Sequence, residues 1–227
     1  MPPAAPPLLT ARLAAVAERV PAGRPMADIG TDHGRLPAFL VLSGRVPRAI
    51  GVDDKEAPLA GARALGDTLG LGAALEYRRG SGCAGLAGVD TVTVCGMGGA
   101  LVARIVAGAR AAGATTLVLQ PNEGEADLRA ALGPLGWRIV TERVLTDRGR
   151  RFIVMSATYG SPEELDAVDL AYGPARAHVD PAALAARLAA DDARLRALVA
   201  RHGPNPALTI QLDIVAEARA RLTRSAR

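Results

Sequence analysis

The chain is expected to fold as an α/β protein, a largely parallel sheet that closes with an antiparallel hairpin and carries a helical hairpin behind it. Two observations lead there. Between residues 10 and 158, short β-branched runs alternate with longer amphipathic ones, the pattern of parallel strands joined by helices. Beyond Tyr159 the strand-like runs stop, and Gly160-Ser161-Pro162, Gly173-Pro174, Asp180-Pro181 and Gly203-Pro204-Asn205-Pro206 punctuate helical stretches. The expected domains are therefore residues 1–159 and 160–227.

An opening helix is expected near Thr10–Val20, with Thr10 as its N-cap. Strands follow at about 25–29, 48–52, 74–78, 90–95, 115–119, 137–145 and 150–158, and helices near 36–43, 56–69, 100–112 and 125–135. Only Thr146-Asp147-Arg148-Gly149 separates the last two strands, so they must pair as an antiparallel hairpin. In the tail, Pro181–Arg201 spaces Leu184, Leu188, Leu195 and Leu198 among Asp and Arg. Ala207–Arg224 repeats the pattern with Leu208, Leu212, Val215 and Leu222. Two such helices joined at a Gly-Pro turn make an αα-hairpin.

Composition narrows the class. With 227 residues, 49% hydrophobic and 22% charged, the chain can bury an α/β core and still carry an appendage. No stretch reads as a membrane span, and Met1–Pro7 lacks both a basic start and a continuous apolar run, so it reads as a disordered leader rather than a signal peptide. The expected location is the cytoplasm. Two cysteines, Cys83 and Cys95, are too few for a disulfide framework and lack metal-ligand spacing, so reduced core thiols are expected and no metal. All of the formal excess of +4 lies in residues 174–227, where 9 Arg face 5 acidic residues. A basic appendage on a neutral core fits binding to an RNA backbone. A solvated helical hairpin with an arginine-biased composition fits as well, since the cations are 26 Arg and the single Lys55, and aromatics are only 3%.

The chemistry starts at Ala27-Asp28-Ile29-Gly30-Thr31-Asp32-His33-Gly34, followed by Ala49-Ile50-Gly51-Val52-Asp53. A strand that delivers a glycine turn to a helix, with an acidic residue at the end of the next strand, is a nucleoside-binding βαβ unit; the acid accepts from ribose hydroxyls. Asp53 stands 23 residues after Gly30. A dinucleotide turn needs glycine where this one has Asp32, whose carboxylate would repel a diphosphate. S-adenosylmethionine (SAM) carries a sulfonium and an ammonium instead, so the acidic pair Asp28 and Asp32 suits a methyl donor better than NAD. Parallel strands closed by an antiparallel hairpin are likewise the sheet pattern of SAM-dependent methyltransferases rather than dehydrogenases, an analogy of fold. A tight strand-to-helix turn that binds nothing is the plain alternative.

A second constellation sits mid-chain, where one strand empties into Cys95-Gly96-Met97-Gly98-Gly99 and the next into Gln120-Pro121-Asn122. Ligands of open parallel sheets bind outside the carboxyl ends of strands. Glycines there clear side chains from a place where backbone and substrate approach closely.

Taken together these elements resemble the TrmK family of bacterial tRNA adenine-N1 methyltransferases, whose members methylate the adenine at position 22 of tRNA. The resemblance runs through Leu9-Thr10-Ala11-Arg12-Leu13, Asp28 to Pro37, Gly96-Met97-Gly98-Gly99, Gln120-Pro121-Asn122, Leu128-Arg129 and Gly136-Trp137, and reaches Tyr172-Gly173-Pro174. It implies a Rossmann-like core with a C-terminal helical, coiled-coil-like domain, SAM as cofactor, tRNA as substrate and no obligate protein partner. Carried onto this chain, it implies cofactor contacts at Asp28, Gly30, Thr31, Asp53, Asp54, Ser81, Gly82, Cys95, Gly96, Met97 and Gly98. Asp32, His33 and Asn122 are then the catalytic candidates, Asp32 stabilising the cationic product or taking a proton, His33 assisting, and Asn122 holding the target base. Adenine N1 lies on the pairing edge, so the base must be unpaired or extruded. The chain departs from the family's pattern at Gly80-Ser81-Gly82, where an acid or Asn is usual, and at Arg151-Phe152-Ile153, where a Tyr-Glu pair is expected. Two other classes stay open: a catalytically silent SAM- or RNA-binding module and an NAD-dependent oxidoreductase.

Overall fold

The computed structural model describes residues 5–225, so the first four residues of the expected leader lie outside the described residues. The strands are β1 (Met26–Ile29), β2 (Ala49–Asp53), β3 (Leu75–Arg79), β4 (Thr91–Gly98), β5 (Thr116–Glu123), β6 (Trp137–Asp147) and β7 (Arg150–Tyr159). The helices are α1 (Ala11–Arg19), α2 (Arg35–Leu42), α3 (Glu56–Thr68), α4 (Gly99–Val106), α5 (Glu125–Leu132), α6 (Ala167–Tyr172), α7 (Pro181–His202) and α8 (Pro206–Ser225). Thr10 caps α1, its hydroxyl accepting from the Leu13 amide at 3.3 Å.

The strands form one sheet in the order β3-β2-β1-β4-β5-β7-β6, with β1 to β5 parallel. Strand β7 runs antiparallel to both its neighbours, β5 and β6. The second strand of the expected hairpin is thus the inner one. Pairing continues to Asp147 opposite Arg150. The connection is therefore two residues, Arg148 (φ 49°) and Gly149 (φ 75°), rather than the four anticipated. Positive φ at both positions is the geometry whose twist matches a right-handed hairpin.

Successive strand residues serve opposite faces. Ala27, Ile50, Leu117, Leu119, Ile153 and Met155 pack with Val102, Val106, Leu128 and Leu132 of α4 and α5. Met26, Ala49, Val118 and Val154 pack instead with Ala15 and Val16 of α1 and Leu36 and Leu40 of α2. This alternation is the period-two signature of a strand covered on both sides, and it builds a three-layer sandwich. Helix α4 stops at Val106, short of the anticipated 112, because the Gly108 and Ala109 amides bond three residues back, to Ile105 and Val106, instead of four.

The tail forms the expected αα-hairpin, with a small helix in front that periodicity did not disclose. Helix α6 has six residues, too few to show a period, and begins where Asp166 accepts from the Val168 and Asp169 amides at 3.0 Å. Val168, Tyr172, Leu184, Leu188, Leu195, Val215 and Ala218 form a core of their own. A buried ion pair ties that unit to the sheet. Arg129 of α5 and Glu142 of β6, both fully enclosed, meet through two 2.8 Å hydrogen bonds, and Arg129 also donates to the Leu170 carbonyl at 2.7 Å. Gly173 lies against the same carboxylate, where a Cβ would come within 2.5 Å of Glu142. That contact is the physical content of the Tyr172-Gly173-Pro174 motif.

Candidate active site

Strand order reverses between β1 and β4, and at their carboxyl ends a cleft of about 610 Å3 opens. The β1–α2 turn forms its floor. The Gly30 and Thr31 amides donate to the Val52 carbonyl at 2.8 and 3.0 Å, which pins the turn to β2. Gly30 takes φ 73°, a left-handed backbone that favours glycine, and a Cβ there would also have to displace the Met97 methyl, 2.0 Å away.

The two acids of the turn live differently. Asp28 is buried, its carboxylate accepting from Thr31 Oγ1 at 2.8 Å and Thr93 Oγ1 at 2.5 Å. Burial pushes its pKa up, partly opposed by these two hydrogen bonds. Asp32 stands at the mouth with an exposed carboxylate and a backbone φ of 52°. Its neighbour His33, also exposed, places Nε2 3.7 Å from Asp32 Oδ1. Asp53, at the end of β2, accepts the Asp32 amide on Oδ2 at 3.1 Å and the Lys55 amide on Oδ1 at 3.0 Å. The acid expected to face a ribose therefore also holds the left-handed turn in shape.

The opposite wall comes from β4 and β5, which run on beyond the strand ends expected from sequence, to Gly98 and Glu123. The pairing slips around Cys95, Met97 and Gly98, a bulge at which Gly96 takes φ 78°. Asn122 donates through Nδ2 to the Gly96 carbonyl at 2.6 Å, joining the two motifs. Burial pushes the Cys95 thiol up, so it stays protonated against the cleft. Burial likewise raises Cys83, to about 11. Every site residue expected from sequence lines the cleft except Gly98, which caps α4 outside its wall. Gly99 also serves packing rather than a ligand, since a Cβ there would meet the Gly124 carbonyl at 2.0 Å.

Four side chains were not anticipated as functional. Arg12 of α1 reaches across 108 residues to bond Gln120 Oε1, while buried Gln120 donates to the Pro121 carbonyl at 2.7 Å, so Arg12 supports the strand end that carries Asn122. Thr93 fixes Asp28, and Tyr77 packs against Gly51 and Gly34 beneath the turn. Arg12 and Gln120 did stand in motifs, Leu9-Thr10-Ala11-Arg12-Leu13 and Gln120-Pro121-Asn122, but without a signal that the two meet; the other contacts join distant segments without a spacing that announces them.

In the tail most of the basic excess is paired. Arg176 meets Glu163, Arg187 meets Asp191, Arg196 and Arg219 meet Asp192, Arg221 meets Asp166, Asp169 and Glu217, and Arg224 meets Glu217. Arg194 and Arg201 form no ion pair among the described residues. No helix among the described residues is long and apolar enough to cross a membrane.

A switch-point cleft with an acid in its glycine turn, on a sheet closed by one antiparallel inner strand, defines the class: a Rossmann-like SAM-dependent methyltransferase. A family model for a methyltransferase domain matches residues 9–155. The Bacillus subtilis tRNA (adenine(22)-N(1))-methyltransferase is 32% identical over 170 residues, spanning 73% of this chain and 71% of that protein. A Streptococcus pneumoniae protein solved in complex with S-adenosyl-L-methionine superposes with a TM-score of 0.81 at 28% identity, covering 93% of this chain and 99% of its own. The crystal structure of the B. subtilis m1A22 tRNA methyltransferase TrmK gives 0.75 at 25% identity, covering 96% and 98%. The chain belongs to the TrmK family of tRNA (adenine-N1)-methyltransferases.

Proposed function

We propose that this protein methylates N1 of adenine 22 in tRNA, in the cleft between β1 and β4. The observation that carries the reading is the hydrogen-bond state of Asp53. Each of its oxygens accepts one backbone amide, and an ionised carboxylate offers about four acceptor sites, so capacity remains on both oxygens for a pair of vicinal hydroxyls. With Ser81 and Gly82 beyond β3 and Met97 and Gly96 on the far wall, the residues present fit a nucleoside cofactor. When bound, SAM supplies an electrophilic methyl group on a sulfonium. Asp53 holds the ribose, and the Gly30–Thr31 turn lines the path beside it.

Adenine N1 carries a free lone pair at neutral pH, so attack needs alignment more than a base, and alignment alone is worth about 7–11 kcal/mol. Asp32 supplies charge. Its exposed carboxylate at the mouth stabilises the cation born on the methylated ring or accepts a proton from the exocyclic amine, with His33 beside it. Asn122 has a second amide hydrogen beyond the one given to Gly96, and this holds the base edge. The enzyme acts in the cytoplasm, where tRNA is found.

The test is mass spectrometry of unmodified tRNA incubated with the protein and SAM, on nucleosides for the identity of the product and on ribonuclease fragments for its position. The expected product is 1-methyladenosine, at one position of the transcript. Methylation at a different base, or SAM binding without product, overturns the reading.

A further inference from the structure

We propose that the tip of the β6–β7 hairpin, Arg148 to Arg151, is the surface that grips the RNA backbone and presents the target base to the cleft. The inference rests on the proposed function and locates its substrate contact. Because β7 runs antiparallel to β5, the hairpin projects past the carboxyl end of β5, on the side where the cleft opens. Two contacts bring it to the rim: the Arg12 amide donates to Asp147 Oδ2 at 3.3 Å, and the Arg12 and Arg150 guanidinium groups lie 5.6 and 5.5 Å from the Phe152 ring. Arg12 lines the cleft itself.

Most of the charge at this tip is free, where most of that of the tail is paired. Arg148 and Arg150 are exposed and form no ion pair among the described residues, and Arg151 stands 3.6 Å from Asp191. Asp147 is the acid beside them, and it is engaged by the Arg12 amide. The turn also keeps an arginine at φ 49°, where Asn, Asp or Gly would sit without strain. Folding alone does not ask for a cation there. A base drawn into the cleft beside Asn122 carries its flanking phosphates to the rim, and an arginine fork matches a phosphate.

The experiment measures binding of unmodified tRNA against salt for the wild type and for three variants. In Arg148→Ala/Arg150→Ala, affinity should fall roughly tenfold at low salt and the slope of log K against log salt should flatten by about 1.5, since each lost phosphate contact removes about 0.7–0.9. Arg148→Lys/Arg150→Lys should keep the slope. Arg194→Ala/Arg201→Ala, in the tail, should bind nearly as the wild type does. SAM affinity by calorimetry should be the same in all four proteins. An alanine pair that binds tRNA with the original slope overturns the proposal, as does a lysine pair that loses as much as the alanine pair. Should the alanine pair fold poorly, Arg148→Ala alone is read in the same way, expecting half the change. A wild type that binds no tRNA defeats the functional reading instead, which separates the two failures.

Discussion

Asp53 joins two tasks, ribose acceptor and anchor of the Asp32 and Lys55 amides. Asp53→Ala should therefore weaken SAM binding by about 1.5–3 kcal/mol, the range for hydrogen bonds to a charged group. Calorimetry that finds unchanged affinity removes the ribose assignment. Asp32 has no such structural duty for its side chain, which points into solvent beside His33. Asp32→Asn, which removes the charge but tolerates the left-handed φ of 52°, should slow methyl transfer at saturating tRNA by about 10²-fold or more while SAM affinity and thermal midpoint stay near wild type. Full turnover in that variant would leave Asp32 without a catalytic role. Asp28 is the reverse case, a buried carboxyl held above its ordinary range by desolvation. A group that binds its proton more tightly when folded adds stability below its unfolded pKa and loses it as pH rises through the folded value. Asp28→Asn keeps a polar group for Thr31 and Thr93 without the charge. Its stability should accordingly match or exceed wild type at neutral pH and fall off less between acid and neutral, as followed by urea denaturation across that range. An unchanged pH profile would show that Asp28 does not carry the burial cost.

The helical tail cannot be cut wherever its helices begin. Ala177 packs in the core of the sheet, and buried His178, whose backbone bridges to Glu142, donates its Nε2 hydrogen to the Tyr172 carbonyl at 2.8 Å. Burial holds that histidine below its usual pKa, so it sits there neutral. A chain ending at Ala171 loses both residues and uncovers the Arg129–Glu142 pair. Its thermal midpoint should drop by more than about 5 °C, at roughly 2–4 °C per kcal/mol for a protein of this size. A chain ending at Val179 keeps them and should still bind SAM. Equal stability in the two truncations would mean that the segment between Tyr172 and Val179 is not part of the core.

Across the molecule, the tail docks on a charge pair of the sheet domain that has no access to water, with Arg129 donating to the Leu170 carbonyl as well as to Glu142. Breaking a buried pair from one side strands the other charge in a low-dielectric interior, a loss of about 3–5 kcal/mol. Arg129→Leu should show that loss in urea denaturation, with Glu142 left uncompensated. Arg129→Leu/Glu142→Leu should recover part of it, because neither charge then remains. A single variant within about 1 kcal/mol of wild type would place the coupling in the apolar contacts of α6 and α7 instead.

What local chemistry dictates could be read from the chain directly. Strand and helix periods, the Thr10 cap, the Gly30 turn and the two tail helices depend on neighbours a few residues away, so the sequence by itself determined them, and its motifs pointed to the methyltransferase class while leaving a silent binding module and an oxidoreductase open. Tertiary structure decided what depends on distant partners. It set β7 inside the hairpin beside β5, drew Arg12 to Gln120 across the sheet, and turned Gly99 into a packing contact with Gly124. It also decided the fate of the charge. A count places the entire excess in the tail, but a count is blind to pairing, and folding brings Asp166, Asp169, Asp192 and Glu217 against those arginines while leaving Arg148 and Arg150, at the tip of the β6–β7 hairpin, without an ion pair among the described residues. The reason is range: hydrogen bonds and ion pairs act over a few ångströms of space, and only the fold converts separation along the chain into that distance.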